Sequence, residues 1–411
     1  MLVRRIDACR ACGDRRLEEV LDLGNLAISD FLEPGQEVVD RAPLTLVRCA
    51  LCGLVQLRDT VDRDRLYRTY HYRSGVNETM LAALEDVVDD AMSRVDLETG
   101  DAVLDIGCND ATLLGRYPNW TRRIGYDPSD VALEAWRGHS FRYDLVRDYF
   151  PTRRQHIPVP CKIVTAIACF YDVDDPGAFL DEARRWLHPE GVLVLQFQDL
   201  ESMVLANAID NVCHEHLTFW GPLPLGRLLQ ERGLRMVDAS PRAVNGGSIR
   251  VTIRHGRSVA PNWGTHDVWR AGDWSLDQFA ARVVRNKALT LRYLERLRRA
   301  HKRVYGIAAS TKWGTLSQYY GIGPELVQAI GERSPHKVGK RTVTGIPIIS
   351  EEQMRQDRPD YLLCCAWGFA DAFAQREAEL LAGGTRMIVP LPYPRIVQGA
   401  PVASDRRPLV A

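Results

Sequence analysis

Between residues 77 and 95 the apolar side chains fall at Met80, Leu81, Leu84, Val87, Val88 and Met92, a spacing that lines one face of a helix. The pattern then changes. Ala102 to Ile106 is a nearly continuous apolar run closed by Gly107, which predicts a buried strand, a glycine turn and a helix start. A second strand, Arg123 to Tyr126, ends on Asp127-Pro128, and a third, Ile163 to Cys169, ends on Phe170-Tyr171-Asp172. Leu187-His188-Pro189-Glu190-Gly191 is a turn that enters a further apolar strand through Gln196. Runs of this kind suit strands covered on both faces, hence a parallel sheet. Beyond a helix-like stretch from Leu223 to Glu231, the turn Asn245-Gly246-Gly247 feeds a strand that reaches Ile253. A long helix rich in Arg and Leu over 275–300 then leads to strands at 303–309, 342–349, 361–365 and 387–390, a second α/β unit. The first 70 residues are different. Leu21 to Glu37 is broken by Gly and Pro and has no helical period, so this lobe lacks a sizeable core unless something cross-links it.

Cysteine spacing supplies the cross-link. Cys9-x-x-Cys12 and Cys49-x-x-Cys52 are two knuckles, each followed by a glycine that permits a tight turn. Four thiolates suit tetrahedral zinc and leave no open position for water, so the site is structural. The expected organisation is α/β in three parts: a zinc-binding lobe over 1–70, a Rossmann-like domain over 71–240, and a second Rossmann-like domain over 241–411. With 53 basic and 53 acidic residues among 411, formal net charge is zero, and no basic block suggests a nucleic-acid partner. No apolar run reaches the roughly 20 residues that span a bilayer, and the N-terminal residues lack a signal-peptide pattern, so a cytoplasmic protein is expected.

Candidate chemistry concentrates in two places. The first is the crevice at the strand ends. Asp105 and Gly107 sit on one turn, with Asn109 just beyond, and Asp127-Pro128 on the next, where a carboxylate can accept ribose hydroxyls. With Gly107 the only glycine on the first turn, a ligand carrying adenosine without phosphates fits better than a dinucleotide. The second is His214-Glu215-His216, two imidazoles and a carboxylate that can move protons near neutral pH, flanked by Cys213 and by Phe219-Trp220. Tyr70 and Tyr72, in an aromatic-rich stretch before the central domain, are candidate hydrogen-bond donors to a polar ligand. In the last domain Ser310, Thr311 and Lys312 open a helix after a strand, an arrangement suited to phosphate.

The four central strand segments, with the Leu-x-Pro-x-Gly turn, resemble the class I S-adenosylmethionine-dependent methyltransferases. The resemblance implies that Gly107 lies near the methionine part, that Asp127 holds the ribose, and that Phe170 and Tyr171 face the adenine or sulfonium. Ala111 departs from that pattern, where many relatives carry glycine. Taken whole, the knuckles, Asp105-Ile-Gly-Cys-Asn-Asp110, the triplet, Asn245-Gly-Gly-Ser-Ile-Arg250, Ala309-Ser-Thr-Lys312, Tyr320-Gly-Ile-Gly323, Ser334-Pro-His-Lys337 and Ile388-Val-Pro390 resemble the zinc-containing sugar C-methyltransferases that act on nucleotide-linked deoxy-keto-sugars in natural-product pathways. That resemblance implies a structural zinc and a small-molecule substrate, a nucleotide sugar held through Asn245, Ser248, Arg250, Ser310, Thr311, Lys312, His336 and Lys337, in a monomer or homodimer. It further implies an enolate mechanism with His216 as base, Glu215 as its orienter or acid/base partner, and His214 stabilising the oxyanion. Two departures bear on the substrate: Cys213 stands where relatives often have tyrosine, and Trp313-Gly314-Thr315 where they have Gly-Asn-Thr. The competing reading is methyl transfer to oxygen or nitrogen of another small metabolite.

Overall fold

The computed structural model describes residues 2–28, 31–37, 40–67, 72–76, 78–152, 159–244, 247–256 and 276–398. The chain divides into two compact units: one takes in the described parts of Met1–Glu18, Val47–Leu200 and Glu215–Ala271, the other those of Glu19–Leu46, Glu201–His214 and Gly272–Ala411.

The first unit is built on a seven-stranded sheet. Its strands are β1 (Ala102–Ile106), β2 (Arg122–Tyr126), β3 (Asp144–Val146), β4 (Cys161–Ile167), β5 (Leu187–Phe197), β6 (Leu234–Arg242) and β7 (Ser248–His255), in the order β6-β7-β5-β4-β1-β2-β3. All neighbours run parallel except β7, which is antiparallel to both β5 and β6. This is the class I methyltransferase arrangement. The apolar runs are explained by the period of two along each strand. Val103, Ile163, Val192 and Val194 point to one face with Leu84, Val87 and Val88 of helix Glu78–Met92, while Leu104, Val164, Leu193 and Leu195 point to the other with Phe179, Leu180 and Ala183 of helix Pro176–Trp186. Asp175 caps the latter helix by accepting from the Ala178 N–H, and Pro176 opens it. Leu104 is fully buried at the centre, so Leu104→Ala should cost about 2–5 kcal/mol. Where a helix start was expected after Gly107, Asn109 (φ 49°) and Ala111 (φ 58°) are left-handed and only a short 3-10 turn, Leu114–Arg116, follows. Left-handed residues cannot continue a right-handed helix.

The second unit carries a six-stranded sheet: β8 (Val304–Ile307), β9 (Ala329–Glu332), β10 (Ile348–Ser350), β11 (Tyr361–Cys364), β12 (Arg386–Val389) and β13 (Arg395–Val397), in the order β10-β9-β8-β11-β12-β13. Only β13 is antiparallel. The strand expected over 342–349 is interrupted by a turn at Gly345 (φ 87°), where Thr342 accepts from the Ile346 and Gly345 N–H groups, and only the end survives as β10. The stretch that lacked a helical period is extended instead: Leu17–Ala27 is a strand that buries Leu21, Leu23 and Leu26, and Gln318 takes up both backbone groups of Ala27. Phe31–Leu32 pairs with Arg341–Thr342, residues far outside the first seventy. Among the described residues no helix is long and apolar enough to cross a membrane.

Candidate active site

The four knuckle cysteines converge. Cys9 Sγ lies 3.6 Å from Cys52 Sγ and Cys12 Sγ lies 3.5 Å from Cys49 Sγ, with all four sulfurs within 4.8 Å of one another. Four sulfurs around zinc at about 2.3 Å stand roughly 3.8 Å apart, so the donor set fits a closed, structural ion. Gly13 (φ 74°) and Gly53 (φ 80°) take the left-handed turns that let Gly13 N–H bond to Cys9 and Gly53 N–H to Cys49. Gln56 donates to Cys9 Sγ at 3.2 Å, as an outer partner that fixes a ligand. Cys9, Cys49 and Cys52 pack in the same apolar cluster as Leu104, Leu195 and Trp220, so the metal site is part of the core of the seven-stranded unit.

At the C-terminal ends of β1 and β2 the loop from Gly107 is held by acids. Asp127 accepts from Asn109 N–H at 2.9 Å and from Ser129 N–H at 2.8 Å, one per carboxylate oxygen, leaving further lone pairs on each. Gly107 (φ 74°) lies so close to Cys169 that a Cβ would stand 3.1 Å from its sulfur. Asp105 is buried beneath the loop and pushed up to about 7 by that burial, against the opposing hydrogen bond from Thr165 at 2.6 Å. Asn109 also accepts from Ser74 N–H and donates to the Tyr72 carbonyl, and Asp110 accepts from Gly75 N–H, so residues 72–75 are tied to this turn. Tyr72 is exposed; Pro128 is half-buried; Tyr70 lies outside the described residues. A cavity of about 440 Å³ opens near Arg73, Asp110 and His139, and none of the expected cofactor residues lines it.

The end of β4 carries the next set. Phe170 is fully buried, stacked on Trp220 at 5.3 Å and packed against Phe179, and presents no surface to a ligand in this conformation. The Tyr171 ring lies 4.3 Å from that of His216. Thr218 donates to the Tyr171 carbonyl at 3.1 Å, and Tyr67 donates to the Glu215 carbonyl at 3.1 Å. Asp172 completes the group, pushed well above the usual carboxylate range by burial and then by the charge of Glu215, with Tyr67 opposing. Sequence reasoning missed Asp172 and Tyr67 as members of this group. The signal for Asp172 was a carboxylate at the C-terminal end of a parallel strand, where such sheets place their chemistry.

The division of the chain falls within the triplet, after His214. Glu215 and His216, both half-buried, belong to the group just described. His214, in the second unit, is buried with Nε2 3.1 Å from the Ala42 carbonyl. Nearby in sequence, Asp210 accepts from Trp367 Nε1 at 2.9 Å; burial raises its carboxyl, while the charge of Lys312 opposes this. Lys312 in turn is lowered by burial and raised by Asp210.

Ser310 caps helix Thr311–Tyr320 by accepting from Trp313 N–H, and Thr311 is exposed on its first turn. Lys337 donates to the Ala309 carbonyl at 2.8 Å, on the loop after β8, and its ammonium lies 4.8 Å from the Phe31 ring centroid. His336 beside it is exposed. Of the other expected substrate residues, Arg250 and Ser248 belong to the first unit. Arg250, on β7, is buried and bonded to Gln196 at 2.9 Å and to the Asp86 carboxylate at 2.7 Å, which makes it a strut between the sheet and helix Glu78–Met92. Ser248 donates to the Val244 carbonyl, and Asn245 lies outside the described residues.

Three family descriptions match successive parts of the chain: a zinc binding domain over residues 9–67, a methyltransferase domain over 76–239, and the C-methyltransferase C-terminal domain over 243–392. The C-methyltransferase NovU of Streptomyces niveus is 28% identical, over 96% of this chain and 98% of its own length. Among solved structures, an S-adenosylmethionine-dependent methyltransferase from Clostridium acetobutylicum is 12% identical over 44% of this chain and 93% of its own, with a TM-score of 0.35. The plantazolicin methyltransferase BamL is 13% identical over 44% and 87%, with a TM-score of 0.37.

Proposed function

For a chain that belongs to the zinc-containing S-adenosylmethionine-dependent C-methyltransferases, we propose that the acceptor is a nucleotide-linked deoxy-keto-sugar, methylated at the carbon next to its ketone through an enolate. The observation that carries this reading is the packing of half-buried His216 against Tyr171, with Glu215 beside it, at the end of a strand whose neighbour β1 ends in the acidic crevice. Methylating carbon needs a carbanion. An imidazole with an ordinary pKa of about 6.5 is matched to removing a proton next to a ketone, and a neighbouring carboxylate fixes its tautomer. S-adenosylmethionine supplies the electrophilic methyl group when bound. The chain's own residues then have four tasks: His216 takes the proton, Glu215 orients it, Asp105, Gly107, Asn109, Asp127, Pro128 and Tyr171 frame the cofactor, and Ser310, Thr311, Lys312, His336 and Lys337 hold the nucleotide diphosphate. His214 is assigned to the oxyanion, and Tyr70 and Tyr72 to donors over the sugar. In this reading the zinc, methyltransferase and substrate parts are 1–70, 71–240 and 241–411, and the enzyme is a cytoplasmic monomer or homodimer of a deoxysugar pathway for an antibiotic. Carbon NMR of the product formed from methyl-labelled cofactor tests it: a methyl resonance coupled to a ring carbon supports the reading, and one on oxygen or nitrogen overturns it.

A further inference from the structure

We propose that Arg10, in the first cysteine knuckle, is a positioning residue for the methylation: one buried guanidinium holds both the turn that presents Tyr171 and the strand that follows the triplet, and so sets the contact between Tyr171 and His216. This rests on reading His216 as the base. Arg10 stands between Cys9 and Cys12, on a turn closed by the bond from Gly13 N–H to the Cys9 carbonyl. Its own N–H bonds to Gln56 Oε1 at 3.0 Å, while Gln56 Nε2 donates to Cys9 Sγ at 3.2 Å. The metal turn is therefore a fixed base for the side chain.

Two arms leave the guanidinium, both within the first unit. In one, Nε donates to Asp174 Oδ1 at 3.2 Å and Nη2 to Thr60 Oγ1 at 2.7 Å, and Thr60 donates to the same Asp174 oxygen at 3.3 Å. Asp174 lies just beyond the turn Phe170–Asp172, whose other end is locked by Phe170 stacked on Trp220. In the other arm, Nη1 donates to the Leu57 carbonyl, and Leu57 N–H bonds to the Leu217 carbonyl at 2.9 Å, beside the antiparallel pair of Val55–Gln56 with Thr218–Phe219. Leu217 is the residue after His216. The arms meet where Thr218 donates to the Tyr171 carbonyl at 3.1 Å and the Tyr171 ring lies 4.3 Å from that of His216.

A buried cation is a poor device for stability alone, because an apolar side chain of like volume avoids the cost of desolvation. What it adds is direction, since a rigid plane of N–H groups fixes several acceptors at once. The Arg10 side chain is 2% exposed, and its acceptors come from the strand after the second knuckle, from Thr60 and from the end of β4. Arg4 pairs with the other Asp174 oxygen but is 55% exposed, so water screens that pair. It supplies a control.

Two measurements on the full, zinc-loaded chain test this. Amide hydrogen exchange without substrate should quicken roughly tenfold over 170–175 in Asp174→Ala, and over both 170–175 and 215–219 in Arg10→Met, while β1 stays as slow as in the native protein and zinc content is unchanged. Asp174 is half-exposed, so Asp174→Ala carries the test even if Arg10→Met folds poorly. Native amide exchange over 170–175 in Asp174→Ala, or a rise spread evenly over the unit, overturns the proposal. The second measurement is deuterium exchange into a nucleoside-diphosphate-linked deoxy-keto-hexose with S-adenosylhomocysteine saturating, at equal folded fraction. Asp174→Ala should lose roughly tenfold and Arg10→Met up to about a hundredfold, the scale on which misplaced reacting groups act, whereas Arg4→Ala should lose less than about twofold. Asp174→Asn, which keeps an oxygen for Arg10 Nε, should recover most of the loss. A native rate in Asp174→Ala, or an equal loss in Arg4→Ala, overturns the assignment. The amide pattern needs no substrate, so if carbon exchange survives His216→Asn while that pattern holds, it is the base assignment that fails and not the hold of Arg10 on the turn.

Discussion

The two sheets pose the same topological problem and answer it with different loops. In both, a central parallel strand ends in a tight loop at a place where the strand order turns outward in two directions, the position where open α/β sheets bind ligands. After β1 the loop is held by the carboxylates of Asp127 on Asn109 N–H and Asp110 on Thr112, and no α-helix N-terminus follows directly, because Asn109 and Ala111 are left-handed. After β8 the loop leads directly into a capped helix; Lys337 donates to the Ala309 carbonyl on that loop and lies 3.8 Å from Glu332, and Lys312 on the first helical turn is half-buried within the field of Asp210. An acidic crevice suits a nucleoside with hydroxyls and a positively charged sulfonium, and a helix start with lysines near it suits phosphate. The lesson is that fold alone leaves the ligand open, and the loop chemistry chooses it.

The largest expected effect tests whether the acidic crevice depends on the metal. Cys49→Ser removes a fully buried thiol of the metal site within the core of the seven-stranded unit, so it should yield poorly folded chain that no longer binds S-adenosylhomocysteine, whereas elemental analysis of the native protein should give about one zinc per chain. Next, Asp127→Ala should weaken cofactor binding by about 1.5–3 kcal/mol in calorimetry, through the lost ribose contact and the loosened loop, with nucleoside diphosphate binding unchanged. Lys337→Ala should do the converse, weakening nucleoside diphosphate by about 0.5–1.5 kcal/mol, an effect that shrinks as salt is raised. If both variants harmed both ligands alike, the contrast between the crevices would fail. The smallest effect is on stability. Because the folded chain holds a proton on Asp105 up to about pH 7 that an unfolded chain releases near pH 4, unfolding free energy should fall as pH rises through that window and level above it. Asp105→Asn should flatten this fall in thermal melts across that range.

Much of the first crevice was legible because its signals are local. The apolar runs of β1, β4 and β5 and the turn before Val192 state a buried parallel sheet, and the cysteine spacing states a metal. What escaped depended on partners far away in sequence. Arg250 sits in a motif that reads as ligand-binding, yet its partners Asp86 and Gln196 lie 164 and 54 residues away. Ala27, at the end of its strand, finds its backbone partner in Gln318, 291 residues away. The loss of the helix after Gly107 and of the strand over 342–349 came from left-handed residues and a side-chain-closed turn, which hydrophobic period does not register. Asp172 was read as part of a strand end, and the hydrogen bond from Tyr67 to the Glu215 carbonyl, which ties the N-terminal region to the triplet, joins residues 148 apart.

The most direct test of the account is proton exchange at the substrate carbon. Incubated with S-adenosylhomocysteine and a nucleotide-linked keto-sugar in deuterated water, the native protein should exchange the proton at the carbon to be methylated, since no methyl donor is present to trap the enolate. His216→Asn should cut that exchange by roughly a hundredfold or more with cofactor affinity unchanged, and His214→Asn should only slow it. Exchange that persists at the native rate in His216→Asn would contradict the account and place the base elsewhere.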